Sequence, residues 1–139
     1  MAITSEQFQY NSDNDVFETT IAAGESAIGL SVCDFPETEK AAALALAQHT
    51  ENWLGSNMEK LKDYATAELL DLKNEEWMDV DEEPLTKSEF KAGLTVSEIL
   101  LFAGGSFQLF LDDNDMFWGH HIVIDVDETG AFSGATIAG

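Results

Sequence analysis

The sequence contains no arginine, and only six lysines accompany 27 aspartates and glutamates in a chain of 139 residues. All six lysines lie between residues 40 and 91, so residues 1–39 and 92–139 carry carboxylates without any basic side chain. A net charge of −21 repels phosphate backbones, and the guanidinium fork that binds phosphate in a bidentate manner is missing. We therefore expect no nucleic-acid partner and no anionic substrate.

Cysteine and long apolar runs are also scarce. Cys33 is the only thiol and cannot form an internal disulfide, which agrees with a cytoplasmic protein. The longest apolar stretches, near residues 41–47 and 99–103, fall well short of the roughly 20 residues that cross a bilayer. The N-terminal segment lacks the basic start and the apolar core of a signal peptide. We therefore predict a cytoplasmic protein that has no membrane partner.

The order of apolar patterns predicts the fold. With 45% apolar residues, residues 1–139 are enough for one domain with its own core. Strands separated by the turn clusters NSDND and AGES, the second with Gly24 and Ser26, are followed by helix-forming segments and then by strands again. This order predicts an α+β fold in which two or three helices pack on one face of a largely antiparallel sheet. We expect strands within about 7–33, helices within about 36–73, an acidic connector and short helix within about 74–93, and a β-meander within about 94–138.

The helical part contains recognisable start and stop signals. Gly55 and the serine after it predict a break between two helices. Thr86 and Glu89 have the spacing of a capping box, and Gly93 follows as a C-terminal stop, which predicts a short helix between them. Apolar side chains at spacings of three or four predict a buried face on the second long helix: Met58, Leu61, Ala65, Leu69 and Leu72.

The segment DDNDMFWGHH, residues 112–121, contains residue types that commonly bind metals: Asp112, Asp113, Asp115, His120 and His121. Their spacing does not match an EF-hand calcium loop, because the fifth position counted from Asp113 is a phenylalanine. Adjacent histidines on a strand point to opposite faces and cannot readily share one zinc ion. Because the spacing argues against a metal site, a metal-dependent or hydrolytic module built on this cluster is only an alternative hypothesis. Thermal shift with zinc, calcium and manganese would test it.

If residues 116–126 form one strand, the two histidines have different environments. His120 then shares a face with Ile122, which predicts a hydrogen-bonded core histidine, whereas His121 faces solvent with Asp125 and Asp127. Catalytic signatures are otherwise scarce: no local motif supplies Cys33 with a base, and FAGGS is typical of a hairpin turn. We predict that the protein is not an enzyme and needs no cofactor.

Met116, Phe117 and Trp118 follow one another and interrupt the two-residue strand period. In one interpretation all three are buried in the core. In the other, Trp118 is an exposed anchor surrounded by the aspartates of the preceding turn, since tryptophan is favoured at interfaces. Gly119 directly after them predicts a bulge or a kink. The acidic run at residues 79–84 is either a solvated connector or part of a contact surface.

From Glu75 onward the chain resembles a family of small bacterial domains of unknown function. The segments that carry this resemblance are EEWMDVDEEPLTKSEF, GSFQLFLDDNDMFWGHHIVIDVD and GATIAG, and FWGH after a short acidic turn is the most specific. The family usually has glycine in place of Asn114, and asparagine also tolerates positive φ, which implies a left-handed turn position. The residue after FWGH is not usually histidine, so His121 is particular to this chain. Such small acidic bacterial domains occur among immunity proteins that neutralise toxins.

Charge, composition and resemblance together predict a non-enzymatic inhibitor of the immunity type. We expect its partner to be a basic protein, namely a cognate toxin domain such as a nuclease, because carboxylates attract lysine and arginine and mimic phosphates. An acidic housekeeping domain without a toxin partner is a further alternative, and its stability would fall steeply when salt is removed. The predicted contact residues are Asp79, Asp81, Glu82, Glu83, Asp112, Asp113, Asp115, Trp118, His121, Asp125 and Asp127.

Overall fold

The computed structural model describes residues 3–23 and 26–138, so the predicted turn at Gly24 lies outside the described residues. A 3₁₀ turn at Glu37–Glu39 directly precedes the first helix. The elements follow the predicted order of strands, helices and strands. In chain order they are β1 (Gln9–Asn11), β2 (Val16–Ala23), β3 (Ser26–Val32), α1 (Lys40–Glu76), α2 (Lys87–Ala92), β4 (Thr95–Leu101), β5 (Phe107–Asp112), β6 (His121–Val126) and β7 (Phe132–Ala138).

The seven strands form one sheet in which the spatial order equals the chain order from β1 to β7. Neighbouring strands are antiparallel except for β3 and β4, which run parallel from the pair Gly29 and Glu98 to the pair Val32 and Leu101. A parallel pair needs a long crossover connection, and here α1 and α2 form it. The predicted α+β class with a largely antiparallel sheet is confirmed.

One face of the sheet packs against α1 and forms the core. The alternation expected for β5 is confirmed, since Phe107, Leu109 and Leu111 are all buried. On α1, the predicted apolar face is buried at Leu61, Ala65 and Leu69. The alternate residues of the same strands point to the opposite face, which has no helix on it within the described residues.

The predicted break at Gly55 is wrong, because α1 runs without interruption through all 37 residues from Lys40 to Glu76. A glycine inside a helix costs about 1 kcal/mol relative to alanine, which tertiary contacts readily exceed. Buried Leu54 and Leu61 on either side of the glycine fix the helix to the core. Within the ranges described, no helix combines the length and the apolar content required to cross a bilayer.

The predicted short helix is confirmed as α2. The Thr86 hydroxyl accepts a hydrogen bond from the Glu89 amide at 3.2 Å, and the Glu89 carboxylate accepts one from the Thr86 amide at 3.0 Å. This capping box starts the helix, and Gly93 ends it. Phe90 is fully buried and attaches α2 to the core.

Candidate functional site

The segment between β5 and β6 is a compact loop and not the start of a strand. We expected a strand from Met116, but β6 begins only at His121. Turn hydrogen bonds connect the Met116 amide to the Asp113 carbonyl at 3.2 Å and the His120 amide to the Phe117 carbonyl at 3.1 Å. Left-handed backbone at four positions makes this path possible. Those positions are Asn114 (φ 54°), Asp115 (φ 64°), Trp118 (φ 55°) and Gly119 (φ 89°), so the expectation for Asn114 is confirmed.

Asp113 organises this loop from inside. Its side chain is 3% exposed, and its two carboxylate oxygens accept the Asp115 amide at 3.0 Å and the Phe117 amide at 3.1 Å. Burial raises the pKa of Asp113, although the amide hydrogen bonds act in the opposite direction. The Asp113 carboxylate is therefore occupied inside the loop, and its predicted contact role stays a prediction. Asp112 is exposed and accepts the Asn114 amide at 3.1 Å.

The three consecutive apolar residues of the loop have different environments. Phe117 is fully buried and Met116 is half-buried, whereas Trp118 is 52% exposed. The interpretation that places all three in the core is therefore wrong. The exposure of Trp118 expected in the other interpretation is confirmed, whereas its role as an anchor stays a prediction. In a strand, side chains point alternately to the two faces of the sheet. Trp118 has a left-handed backbone and is not in a strand, so this alternation does not decide where its side chain points.

Trp77, the residue directly after α1, joins the loop to the helix. Its ring centroid lies 5.0 Å from that of Trp118, 5.3 Å from that of His120 and 5.5 Å from that of Phe117. The Phe117 and His120 contacts are edge-to-face, which aromatic quadrupoles favour. His120 is thus half-buried against Trp77, and its predicted core position is wrong because the strand period begins only at His121.

The acidic connector after Trp77 is held in a closed shape by Lys73. This lysine is 1% exposed, and its Nζ donates to the Trp77 carbonyl at 2.7 Å and to Glu82 Oε2 at 3.1 Å. Glu82 also accepts the Asp79 amide at 2.9 Å. The Asp79 amide, followed by Lys73, lowers the pKa of Glu82. Glu82 is therefore occupied by an ion pair within the fold, while Asp79, Asp81 and Glu83 are exposed.

The rings of Trp77, Trp118 and His120 form a partly exposed surface that we call the tryptophan patch, and Val80 belongs to the connector that follows Trp77. Val80 is 100% exposed, and Val80 and Trp118 are the two large hydrophobic residues found exposed in the described part of the chain. Five exposed carboxylates belong to the connector or to the loop and the β5 residue that leads into it, namely Asp79, Asp81, Glu83, Asp112 and Asp115. Trp77, which the sequence analysis did not single out, thus joins two of the predicted contact segments, namely the acidic connector and the loop between β5 and β6.

The remaining predicted contact residues lie along β6. His121 is exposed at the beginning of the strand, beside the patch. Asp125 is half-buried and accepts a hydrogen bond from Gln108 Nε2 at 3.0 Å. Asp127 follows the opposite end of β6 and accepts the Thr129 amide at 2.9 Å. The Thr129 hydroxyl and nearby amides lower the pKa of Asp127. Asp125 and Asp127 therefore lie away from the patch.

Comparison with known proteins places the chain in a family. The sequence profile described as "Uncharacterized protein conserved in bacteria (DUF2262)" matches residues 5–137. The chain belongs to the DUF2262 family. Membership of a bacterial family of unknown function is therefore confirmed, and the match covers both the helical part and the segment from Glu75 onward. Comparisons with curated proteins and with solved structures gave no significant match.

Ligands for a metal ion are not assembled in the described part of this DUF2262 chain. Within residues 3–23 and 26–138, no group of three or more histidine, cysteine, aspartate or glutamate side chains has an arrangement suited to a metal ion. Adjacent His120 and His121 have different surroundings, the first against Trp77 and the second exposed. Cys33 is half-buried, and burial raises the pKa of its thiol.

Three residues important to the DUF2262 site were missed by sequence reasoning: Lys73, Trp77 and Val80. The signal for Trp77 is a large aromatic residue two positions before the acidic run, because such side chains bury much apolar area and usually pack against the core. Nothing in the sequence marks Lys73 as buried. Lysine is rarely buried without a partner, and its partner here, Glu82, is nine residues away in the chain.

Proposed function

We propose that this DUF2262 protein is a non-enzymatic inhibitor of the immunity type, which binds and neutralises a basic toxin domain through the tryptophan patch. The proposal depends on the observation that Trp118 is half-exposed although its backbone is left-handed. Left-handed backbone is costly for a bulky residue and persists where the surrounding structure enforces it. Such strain, together with exposure, is typical of a functional position.

The packing of Trp118 suits an anchor residue. Its ring rests on Trp77, which in turn contacts the fully buried Phe117. A side chain that is already ordered loses less conformational entropy on binding, which strengthens association. Tryptophan is also among the residues that most often dominate the binding free energy of protein interfaces. The patch therefore has the features of a pre-organised protein contact.

The charge around the patch selects a basic partner. Exposed Asp79, Asp81 and Asp115 accompany it, and the six lysines of the chain all lie on α1 and α2. Carboxylates in such a field accelerate encounter with a cationic protein by about 10- to 1000-fold at low salt. In a nuclease they would occupy the places of substrate phosphates. The resemblance to acidic domains found among immunity proteins supports the same class of partner.

The test uses the basic proteins encoded beside the gene. Each is expressed alone and together with the DUF2262 protein. We expect one of them to inhibit growth when expressed alone and to lose its toxicity in the pair. The complex of the two proteins should weaken between roughly 50 and 500 mM NaCl, because salt screens their electrostatic attraction. Trp118→Ala should weaken the complex by about 30-fold in Kd, as expected for loss of an anchor.

Phe102→Ala is the matched control, because Phe102 is a half-buried aromatic residue at the opposite end of β5 from the patch. It should leave the complex and the protection of cells unchanged. The proposal is wrong if no neighbouring basic protein is bound and neutralised. The patch is the wrong surface if Trp118→Ala protects cells as well as the wild type.

A further inference from the structure

The outer edge of β7 is a second feature that favours a protein partner. β7 is the last strand of the sheet, and among the described residues no strand pairs with its outer side. It is seven residues long, FSGATIA, and contains no charged residue and no proline. The pairing of β7 with β6 has a register shift between Asp125 and Val126 of β6, which lie opposite the beginning of β7. The following residues, Gly134–Ala138, pair regularly.

This edge lacks the usual protection. Natural edge strands are commonly very short, or carry lysine or proline, because unpaired backbone amides and carbonyls attract other strands. The opposite edge strand, β1, follows this rule with three residues. By contrast β7 offers a regular row of backbone groups, and no lysine follows residue 91 in the chain. The two ends of the sheet are therefore different.

The surroundings of β7 indicate the charge of an incoming strand. Asp125 faces Gly134, where its Oδ2 lies 3.3 Å from the position of an added Cβ atom. On α1, Tyr64 stacks on Phe132 with ring centroids 4.8 Å apart. Burial raises the pKa of Tyr64, and the charge and hydrogen bond of Glu68, one turn later on the helix, raise it further. Lys60 lies one turn before Tyr64, and Lys62 is the other base on that stretch of helix.

We propose that the outer edge of β7 accepts an extended, lysine- or arginine-rich segment of a partner protein as an eighth strand of the sheet. Backbone hydrogen bonds supply the pairing in such strand addition, and alternate side chains supply its selectivity. Basic side chains of the added strand reach Asp125 on one face and Glu68 on the other. A second copy of this chain is the less favourable occupant, because each copy carries a net charge of −21.

A basic strand-forming peptide tests this edge without knowledge of the natural partner. The probe is an acetylated ten-residue peptide of alternating lysine and valine, and the control is the same peptide with alternate backbone amides methylated, which keeps the charge but removes donors along one edge. Binding is measured by fluorescence anisotropy at 50 mM NaCl. Hydrogen exchange locates the contact, and we expect the amides of residues 132–138 to exchange at least about tenfold more slowly with the unmodified peptide.

Two variants with equal charge separate pairing from general attraction. Thr136→Lys places a like charge on the exposed side of β7 and should weaken binding by roughly two- to five-fold. Thr4→Lys adds the same charge at an exposed position outside the strands and should have a smaller effect. Trp118→Ala should leave peptide binding unchanged, so failure of this inference and failure of the proposed function are distinguishable.

Three results would overturn the inference. Equal binding of the methylated peptide would mean that charge alone attracts the probe. Protection confined to amides outside β7 would place the contact elsewhere. A dimer of the protein alone, detected by sedimentation velocity, in which the β7 amides exchange slowly would identify a second copy as the occupant.

Discussion

The indole rings of Trp77 and Trp118 lie with their centroids 5.0 Å apart and tie the end of α1 to the loop between β5 and β6. Trp77 also contacts buried Phe117, so the exposed ring is joined to the core through a single intermediate side chain. This relationship fixes the position of an otherwise exposed aromatic residue. We therefore expect that the outer ring can be removed without disturbing the inner one.

We expect Trp118→Gly to change the free energy of unfolding by less than about 1 kcal/mol. Loss of the ring contact with Trp77 costs about 0.5–1.5 kcal/mol, and relief of the left-handed backbone at φ 55° returns a similar amount. Trp77→Ala should cost about 2–4 kcal/mol, since it also removes contacts with Phe117 and His120. Urea unfolding followed by circular dichroism measures both. A loss above about 2 kcal/mol for Trp118→Gly would identify Trp118 as chiefly structural.

Lys73→Ala should destabilise the protein by about 2–3 kcal/mol, because it leaves the Trp77 carbonyl and Glu82 without their buried donor. The Glu82 side chain is 35% exposed, which keeps the loss below that of a fully buried ion pair. Amides of residues 77–82 should also lose protection in hydrogen exchange. Lys91→Ala is the control, since Lys91 bonds Glu59 and Asp63 near the surface, and its loss should destabilise the protein clearly less than Lys73→Ala does. Equal losses for both lysines would contradict a special role of Lys73.

Asp113 should make the protein less stable as the pH rises. Because folding raises the pKa of Asp113, the native state binds its proton more readily than the unfolded state. Its contribution to stability is therefore largest at low pH and falls as the pH rises through the raised pKa. We expect the stability of the wild type relative to Asp113→Asn, measured by urea unfolding, to decrease as the pH rises above the ordinary carboxyl pKa of about 4.

Glu82→Gln is the control with the opposite sign. Folding lowers the pKa of Glu82, so its contribution is present above the usual carboxyl pKa and is lost as the pH falls through the lowered value. The stability of the wild type relative to this variant should therefore decrease only toward acid. If both variants gave the same slope against pH, the assignment of opposite environments to the two carboxyls would be wrong.

Gly55→Ala should stabilise the protein by about 0.5–1 kcal/mol, because Gly55 is exposed inside α1 and an added Cβ meets no atom within 4 Å. Gly130→Ala is the opposite case. Gly130 has φ +85° and its added Cβ would lie 3.1 Å from Trp53 Nε1, so we expect a loss of at least about 1 kcal/mol. Thermal and urea unfolding measure both variants. Destabilisation by Gly55→Ala would show that the helix needs flexibility there.

Local signals predicted the elements better than the site. The capping box at Thr86, the left-handed conformation at Asn114 and the alternation along β5 depend on neighbouring residues, so the sequence contains the information needed. The break at Gly55 and the core position of His120 were wrong for one common reason. In each case contacts with distant residues, Leu54 with the core and Trp77 with His120, decided between local alternatives of similar free energy.

By itself, the sequence determined the α+β class and the net charge of this DUF2262 chain, because periodicity and composition act through short-range and summed effects. The basic partner expected from that charge stays a prediction. Only the tertiary structure decided which carboxylates are available. It buried Asp113, occupied Glu82 with Lys73, and brought Trp77 against Trp118. These outcomes depend on pairing between residues far apart in the chain, and no local pattern specifies such pairing.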